Sequence, residues 1–249
     1  MSHKNTGTRR DAKGFSFKRI MIVSVLVFAA VLFMISPVFD VQHINIAGNE
    51  IVAKEGIIRA AGLEGKTNIF SVLSYKAVQA VEDMPYIKTA VLEKHFPNAI
   101  DITVTERKPR GYVEFKSMHT YLLIDGEGMV LSTQTDITEA LPVIVGLTFS
   151  DFAIGRRLEA ENKDAFDMVV TLSQLFLKHE LTDVIRLDVS DGADIHIYIR
   201  NIDVFFGGMA DADLKVQTLK AIAADIKPED RGFLHMEDVT KNPYFKFLK

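Results

Sequence analysis

From Ile20 to Phe39 the chain carries twenty positions without a charged residue; beyond it, apolar and polar positions alternate with strand or helix periods. As a helix at about 1.5 Å per residue the run spans roughly 30 Å, the thickness of a bilayer's hydrocarbon core. Each Leu, Ile, Phe and Val near the centre of such a helix favours insertion by roughly 0.3–0.6 kcal/mol. Residues 20–39 are therefore expected to form a transmembrane helix in contact with the lipid bilayer. A cleavable signal peptide has a shorter apolar core and small residues at its exit, whereas here the small pair Ala29-Ala30 lies mid-run and the exit reads Ile35-Ser36-Pro37-Val38-Phe39-Asp40. The reading is an uncleaved anchor. A buried helix of a soluble protein fits less well, because no other stretch is apolar all round and polar flanks bracket this one.

After the anchor, Val41 to Asn49 reads as a strand with Ile44 and Ile46 alternating against Asn45. Ala53 to Ala61 has helical spacing and stops at Gly62, and a second helix, Tyr75 to Glu82, starts behind Ser74 as its cap and turns Val78 and Val81 inward. Strands Ile87–His95 and Ile100–Glu106 follow, joined at Pro97-Asn98, with Ile100, Ile102 and Val104 on one face of the second. The order strand, helix, helix, strand, strand allows both helices to cover one face of a small sheet. Beyond Pro109 the pattern changes to short strands. Tyr112–Phe115 and Tyr121–Ile124 form a hairpin pattern, and Asp125-Gly126-Glu127-Gly128 turns the chain into Met129–Ser132. Leu141-Pro142-Val143-Ile144 is a loop followed by a strand. A helix over 161–179 places Phe166, Val169, Leu172 and Phe176 on one side; Ile185–Val189 begins a strand pair, and Ile195, Ile197 and Ile199 oppose His196, Tyr198 and Arg200. Ile202–Phe206 runs into Gly207-Gly208, and a last helix, 211–226, presents Val216, Leu219, Ile222 and Ile226 before Pro228. Phe205-Phe206 reads as core. The fold class expected is α+β.

Two blocks of this pattern resemble the POTRA domain of the bacterial cell-division family FtsQ/DivIB. The first is Val41-x-x-Ile44-x-Ile46-x-Gly48-Asn49. The second is Met84-Pro85-Tyr86-Ile87 running into Phe96-Pro97-Asn98-x-Ile100-x-Ile102-x-Val104-x-Glu106-Arg107-x-Pro109. The hairpin with Asp125 and Gly128, followed by Leu141-Pro142-x-Ile144-x-Gly146, is similar to the family's second, "beta" domain. Gly208 departs from the family, which has a basic residue there. In the last strand, His235 and Glu237 stand where the family has Asp and a basic residue. To the basic tail at 1–19 and the anchor at 20–39 the resemblance adds a POTRA domain at 40–108, a mixed α/β beta domain with a largely antiparallel sheet at 109–236, and a tail at 237–249.

Charge sets the orientation of the anchor. Six of the 29 Lys and Arg, at Lys4, Arg9, Arg10, Lys13, Lys18 and Arg19, precede Ile20, with Asp11 as the one acid there of 33; the remainder carries a formal −9. The positive-inside rule places this tail in the cytoplasm and the rest outside, as a single-pass type II protein of the plasma membrane. Phe15 to Arg19 suits anionic headgroups. A net negative outer part is not built for phosphate, so nucleic acid is excluded as the main partner. The absence of Cys removes disulfides, cysteine catalysis and thiolate metal sites.

No catalytic or nucleotide-binding motif occurs, and no two of the seven His stand three or four apart on a predicted helix. His43, His95 and His196 are expected on wet strand faces. Asp188, Asp191 and Asp194 around Gly192 miss the spacing and the final Glu of a calcium loop, so they read as turn carboxylates, as do Asp125 and Glu127. Catalytic residues, cofactor, metal and small-molecule substrate are all expected to be absent. What the resemblance implies instead is a non-enzymatic divisome scaffold at the division septum. It would bind bitopic coiled-coil proteins of FtsB/DivIC and FtsL type outside the membrane and support septal peptidoglycan synthesis. The candidate partner site is the last strand, Phe233, Leu234, His235 and Met236, taken as an unpaired sheet edge that accepts a partner strand, with Tyr244, Phe245 and Phe247 on an exposed basic tail. The alternatives are a POTRA-bearing protein handling unfolded polypeptides, which would need repeated POTRA units or a barrel, and an anchored cell-wall enzyme, which would need a catalytic cleft.

Overall fold

The computed structural model describes residues 17–227, 229–241 and 243–248, so most of the basic tail and Pro228 lie outside the described residues. The apolar run forms helix α1, Phe17–Met34, in which no residue is buried. It does not reach Phe39. Pro37 cannot donate to a helical ladder, and Pro37–Phe39 instead makes a single 3-10 turn with Ser36 as its N-cap. Phe39 leaves the helix altogether and is buried in the core of the unit that follows it.

That core belongs to a βααββ unit comprising β1 (His43–Ala47), α2 (Lys54–Ala60), α3 (Ser74–Glu82), β2 (Ile87–His95) and β3 (Ala99–Glu106). β3 is central, parallel to β1 and antiparallel to β2. Alternation does the sorting: Ile100, Ile102 and Val104 are buried on one face of β3, where Ile57 and Val81 of the helices meet them. Ser74 is the first helical residue, and Leu73 holds the N-cap position without a side-chain bond. At Gly48 the chain passes so close to β3 that a Cβ would lie 2.0 Å from the Val104 carbonyl oxygen, so only glycine fits.

The second unit is one sheet in the order β12-β11-β10-β9-β8-β7-β4-β5-β6. Its left half runs β8 (Val184–Asp188), β9 (Ile195–Ile199), β10 (Ile202–Gly207), β11 (Gly232–His235) and β12 (Tyr244–Phe247). The other half holds β4 (Pro109–Phe115), β5 (Thr120–Asp125), β6 (Val130–Gln134) and the three-residue β7 (Val143–Val145). Pairings are antiparallel except β10–β11, β7–β8 and β4–β7. Helices α4 (Lys163–Lys178) and α5 (Ala212–Asp225) cover one face, where Phe166, Val169, Leu172 and Leu219 pack on Ile195, Ile197, Val204 and Phe206. The anticipated apolar positions of α4 are all buried.

The Glu106-Arg107 pair fastens the two units. Glu106 accepts the backbone N–H groups of Glu50, Ile51 and Val52 at 3.0, 2.7 and 2.8 Å, which fixes the loop after β1. Arg107 turns the other way and bonds Asp125 at 2.8 Å and Glu127 at 3.0 Å, both in the β5–β6 turn. Asp125 thus has two tasks: Oδ1 accepts the turn N–H groups of Glu127 and Met129, and Oδ2 accepts Arg107. Burial lowers the Arg107 pKa, but the two carboxylates outweigh it and leave it raised. Arg107→Ala would leave the buried Asp125 without its cation; a loss of about 1–3 kcal/mol is expected. A lower urea midpoint together with a larger radius by small-angle scattering checks this.

Candidate functional site

The last strand pair did not fold as the sequence alone suggested. β11 is not a sheet edge: β10 lies parallel to it on one side, and β12 pairs antiparallel on the other, with Gly232 opposite Phe247, Phe233 opposite Lys246, Leu234 opposite Phe245 and His235 opposite Tyr244. The physical reason is the turn between them. Asp238 accepts Thr240 N–H at 3.1 Å and Thr240 Oγ1 at 2.6 Å and pairs with Lys241 at 3.1 Å, which reverses the chain and returns the aromatic tail to β11. Those contacts hold the Asp238 carboxyl at about 2. Gly232 then permits the close approach, since a Cβ there would sit 2.3 Å from the Lys246 carbonyl oxygen. On this side the sheet ends in β12, as it ends in β6 on the other.

Antiparallel pairing alternates, which decides what this edge offers. Leu248 N–H donates to the Arg231 carbonyl at 2.9 Å. Stepping inward by twos, Lys246 and Tyr244 bond to β11, and Phe245 and Phe247 direct their backbone N–H and C=O away from the sheet. Side chains alternate as well. Phe245 packs on the helix-covered core and Phe247 stands beside it at 4.3 Å between ring centroids, exposed to solvent. Tyr244 and Lys246 lie on the opposite face.

The face opposite α4 and α5 carries a row of rings across four strands. His196 lies 4.5 Å from Phe205, Phe205 4.6 Å from His235, and His235 4.6 Å from Tyr244, centroid to centroid. Phe205 is therefore not core. The strand period separates it from Phe206, which is wholly buried on the other face. Of the four candidate residues, Phe233 and His235 face this row, while Leu234 and Met236 are buried beneath the helices.

Charges flank the row. His196 Nδ1 meets Asp203 at 2.7 Å and its Nε2 lies 3.5 Å from Asp194. Burial lowers the His196 pKa, but Asp203 and then Asp194 outweigh it, so the net shift is upward. Its raised folded pKa means that the pair stabilises fully below the unfolded value of about 6.5 and fades as pH rises through the folded one. The stability lost in His196→Gln, measured by urea unfolding, should accordingly be larger at about pH 6 than at about pH 8.5. His235 Nδ1 meets Glu237 at 2.9 Å. Burial pushes the Glu237 carboxyl up, but the hydrogen bond from His235, a backbone bond and the charges of His235 and Lys215 leave it below the ordinary range.

Lys215 is the residue that sequence reasoning missed. It is 2% exposed, and its Nζ donates to the carbonyls of Phe206 at 2.8 Å and Gly208 at 3.0 Å. Phe206 is the extra residue of a bulge, between Phe205 opposite His196 and Gly207 opposite Ile195. A bulge takes its extra residue off the ladder, and the lysine supplies the missing donor. Burial lowers its pKa against the pull of Asp211, Asp238 and Glu237. A signal was present: position 215 is four residues before the inward Leu219, on the same helical face.

The remaining candidates serve turns and surfaces. Asp188 accepts Ser190 N–H and Oγ, Asp191 accepts Ala193 N–H, and His95 pairs with Asp101 at 3.0 Å. Among the described residues no group of three His, Cys, Asp or Glu is placed to hold a metal ion. An open cleft of about 830 Å³ lies over the short β7, bordered by Glu114, Lys116, Tyr121, Arg186, Asp188 and Ser190.

Comparison with known proteins gives a consistent result. Residues 39–107 match the FtsQ-type POTRA domain. Over 172 residues the chain is 27% identical to the cell division protein DivIB of Clostridium acetobutylicum, covering 69% of this chain and 68% of the relative. DivIB of Clostridium botulinum is 28% identical over 92% of this chain and 89% of its own length, and DivIB of Bacillus subtilis 25% identical over 90% and 81%.

Proposed function

We propose that this chain, which belongs to the FtsQ/DivIB family of cell-division proteins, acts in the divisome as a non-enzymatic scaffold whose exposed edge strand β12 takes up a strand from a partner. The observation that carries this reading is the outward-facing backbone of Phe245 and Phe247 on an edge that ends the sheet. Such an edge has donors and acceptors to spare, and an added strand satisfies them. The partners are bitopic coiled-coil division proteins of FtsB/DivIC and FtsL type, anchored in the same membrane. Tethering both chains to one plane raises their effective concentration, so a short strand contact suffices.

In this scheme Phe233 to Met236 act through β12. Leu234 and Met236 root β11 in the core, and Phe233 and His235 provide the ring surface against which a partner's side chains would lie beyond Tyr244. The helix α1 is an N-terminal apolar helix of the kind that anchors a single-pass membrane protein. We place the units after it outside the cytoplasm, at the septum, in support of peptidoglycan synthesis.

The test is a pull-down from membranes with the tagged full chain, a chain ending at Lys241 and a chain ending at Arg231. Loss of small bitopic division proteins from both shortened chains is expected. Their retention by the chain ending at Lys241 would move the receptor from β12 to β11 or to an earlier element. Enrichment of unfolded envelope proteins without any division protein would favour polypeptide handling instead.

A further inference from the structure

The junction between the anchor and the first outer unit contains no free linker. Ile35 and Ser36 still donate to the carbonyls of Val31 and Phe33, and Asn68 of the outer unit donates through its side chain to the Met34 carbonyl at 2.9 Å. Phe39 and Asp40 donate to Ser36 and Pro37, Ile69 N–H donates to the Phe39 carbonyl, and Asp40 bridges to Asn68. Every step from the helix into the core is thus hydrogen-bonded, and the outer unit is set on the end of α1 in a fixed pose.

Apolar surface continues across this junction. Phe33, near the end of α1, meets Phe39 at 5.2 Å between ring centroids; Phe39 meets Phe70 at 4.9 Å; and Phe70 meets Phe96 at 5.3 Å. Only Phe39 of these four is buried. Phe33, Phe70 and Phe96 remain exposed at 65%, 39% and 60%, with Ile35 and Val38 exposed beside them. Lys94 donates its ammonium to the carbonyls of Ile69 and Val72, which pins the loop that presents Phe70. A contiguous apolar surface of this kind beside a membrane span needs a cover.

We propose that the POTRA unit rests on the outer surface of the bilayer that holds α1, with Phe70 and Phe96 seated at the boundary between headgroups and acyl chains. Continuity selects this occupant. Phe33 lies on the lipid-facing helix, and the ring contacts lead from it to Phe70 and Phe96 without a polar break. Bilayer interfaces accept such side chains to a depth of about 5–10 Å. The consequence is mechanical: the POTRA unit is held flat against the membrane by two features, its covalent anchor and this aromatic contact. The Arg107 clamp then gives the β12 edge a defined height above the bilayer.

The chain contains no Trp, so single-tryptophan reporters are free of background. Full-length Phe70→Trp, Phe96→Trp, Phe33→Trp and Phe247→Trp would each be placed in phosphatidylcholine and phosphatidylglycerol nanodiscs, with and without acyl-brominated lipid. At least a twofold loss of emission is expected for positions 33, 70 and 96, and none for position 247. A Phe96→Cys chain carrying a small environment-sensitive fluorophore repeats the reading without the indole, since the chain also lacks Cys. If positions 70 and 96 behave like 247 while 33 is quenched, the anchor stands and the surface contact is wrong. If 33 is also unquenched, the anchor fails as well. A blue shift at position 96 that rises with protein concentration and is indifferent to brominated lipid would assign the patch to a second copy and overturn the proposal.

Discussion

Phe247→Pro is expected to lower capture of the proposed bitopic partner by about 10–100-fold while leaving the melting profile of the chain unchanged. The reasoning rests on which way one N–H points. Phe247 directs its amide away from β11, so proline there removes a bond that only an added strand would make, and its ring meets that strand at the site of pairing. Proline is tolerated on sheet edges for this reason. Leu248 keeps its bond to Arg231, and Phe245 keeps its place against the core. Lys246→Pro is the control with the opposite character. It removes an inward bond, releases β12 and is expected to lower both binding and stability. Equal binding by Phe247→Pro and the unaltered chain, in a titration with the partner's extracytoplasmic segment, would exclude strand addition at β12.

Lys215→Met is expected to cost about 2–4 kcal/mol of stability, although methionine matches the lysine stem in length and leaves little cavity. The loss comes from the two carbonyls. Phe206 and Gly208 would be left without their donor in a region closed to water, and the bulge that turns β10 into α5 would lose its tie to the helix. The ammonium also lies 5.0 Å from the centroid of the buried Phe206 ring, a contact that methionine does not replace electrostatically. Lys220→Met, at an exposed position on the same helix whose ammonium reaches the Glu180 carbonyl, should change stability by no more than about 1 kcal/mol. Urea unfolding of both variants separates the buried role from a general effect of removing charge.

Much of this fold is written in local periods. The alternation through Ile100, Ile102 and Val104 and the spacing of Phe166, Val169, Leu172 and Phe176 each describe a face that only one packing satisfies, and the structure buries those faces. The Glu106-Arg107 motif was equally visible, but not its purpose. Its partners at 50–52 and 125–127 are distant in sequence, and no period links a charge to its counterion. The end of α1 illustrates a different limit. Phe39 is as apolar as the run before it, and hydropathy does not distinguish a ring on the exposed apolar helix from one destined for a protein core.

The candidate site was legible in place and misread in pairing. Phe233, Leu234 and His235 do lie in a strand at one side of the sheet, with Met236 just past its end, yet Tyr244 to Phe247 returns to cover it. Four residues with three aromatics and a lysine are too short to declare themselves as a strand, and the turn that brings them back depends on the side chains of Asp238 and Thr240 rather than on a glycine signal. Phe205 and Phe206, adjacent and identical in type, separate to opposite faces because β10 is a strand, an outcome its period contained and composition concealed.

Amide hydrogen exchange, followed residue by residue in the full-length chain with and without the extracytoplasmic segment of the proposed coiled-coil partner, addresses strand addition most directly. The expected result is slowed exchange at the N–H groups of Phe245 and Phe247, with Lys246 already protected in the free chain and unchanged. Protection that appears elsewhere, around the cleft over β7 or on the POTRA unit, while Phe245 and Phe247 exchange as fast as before, would contradict it.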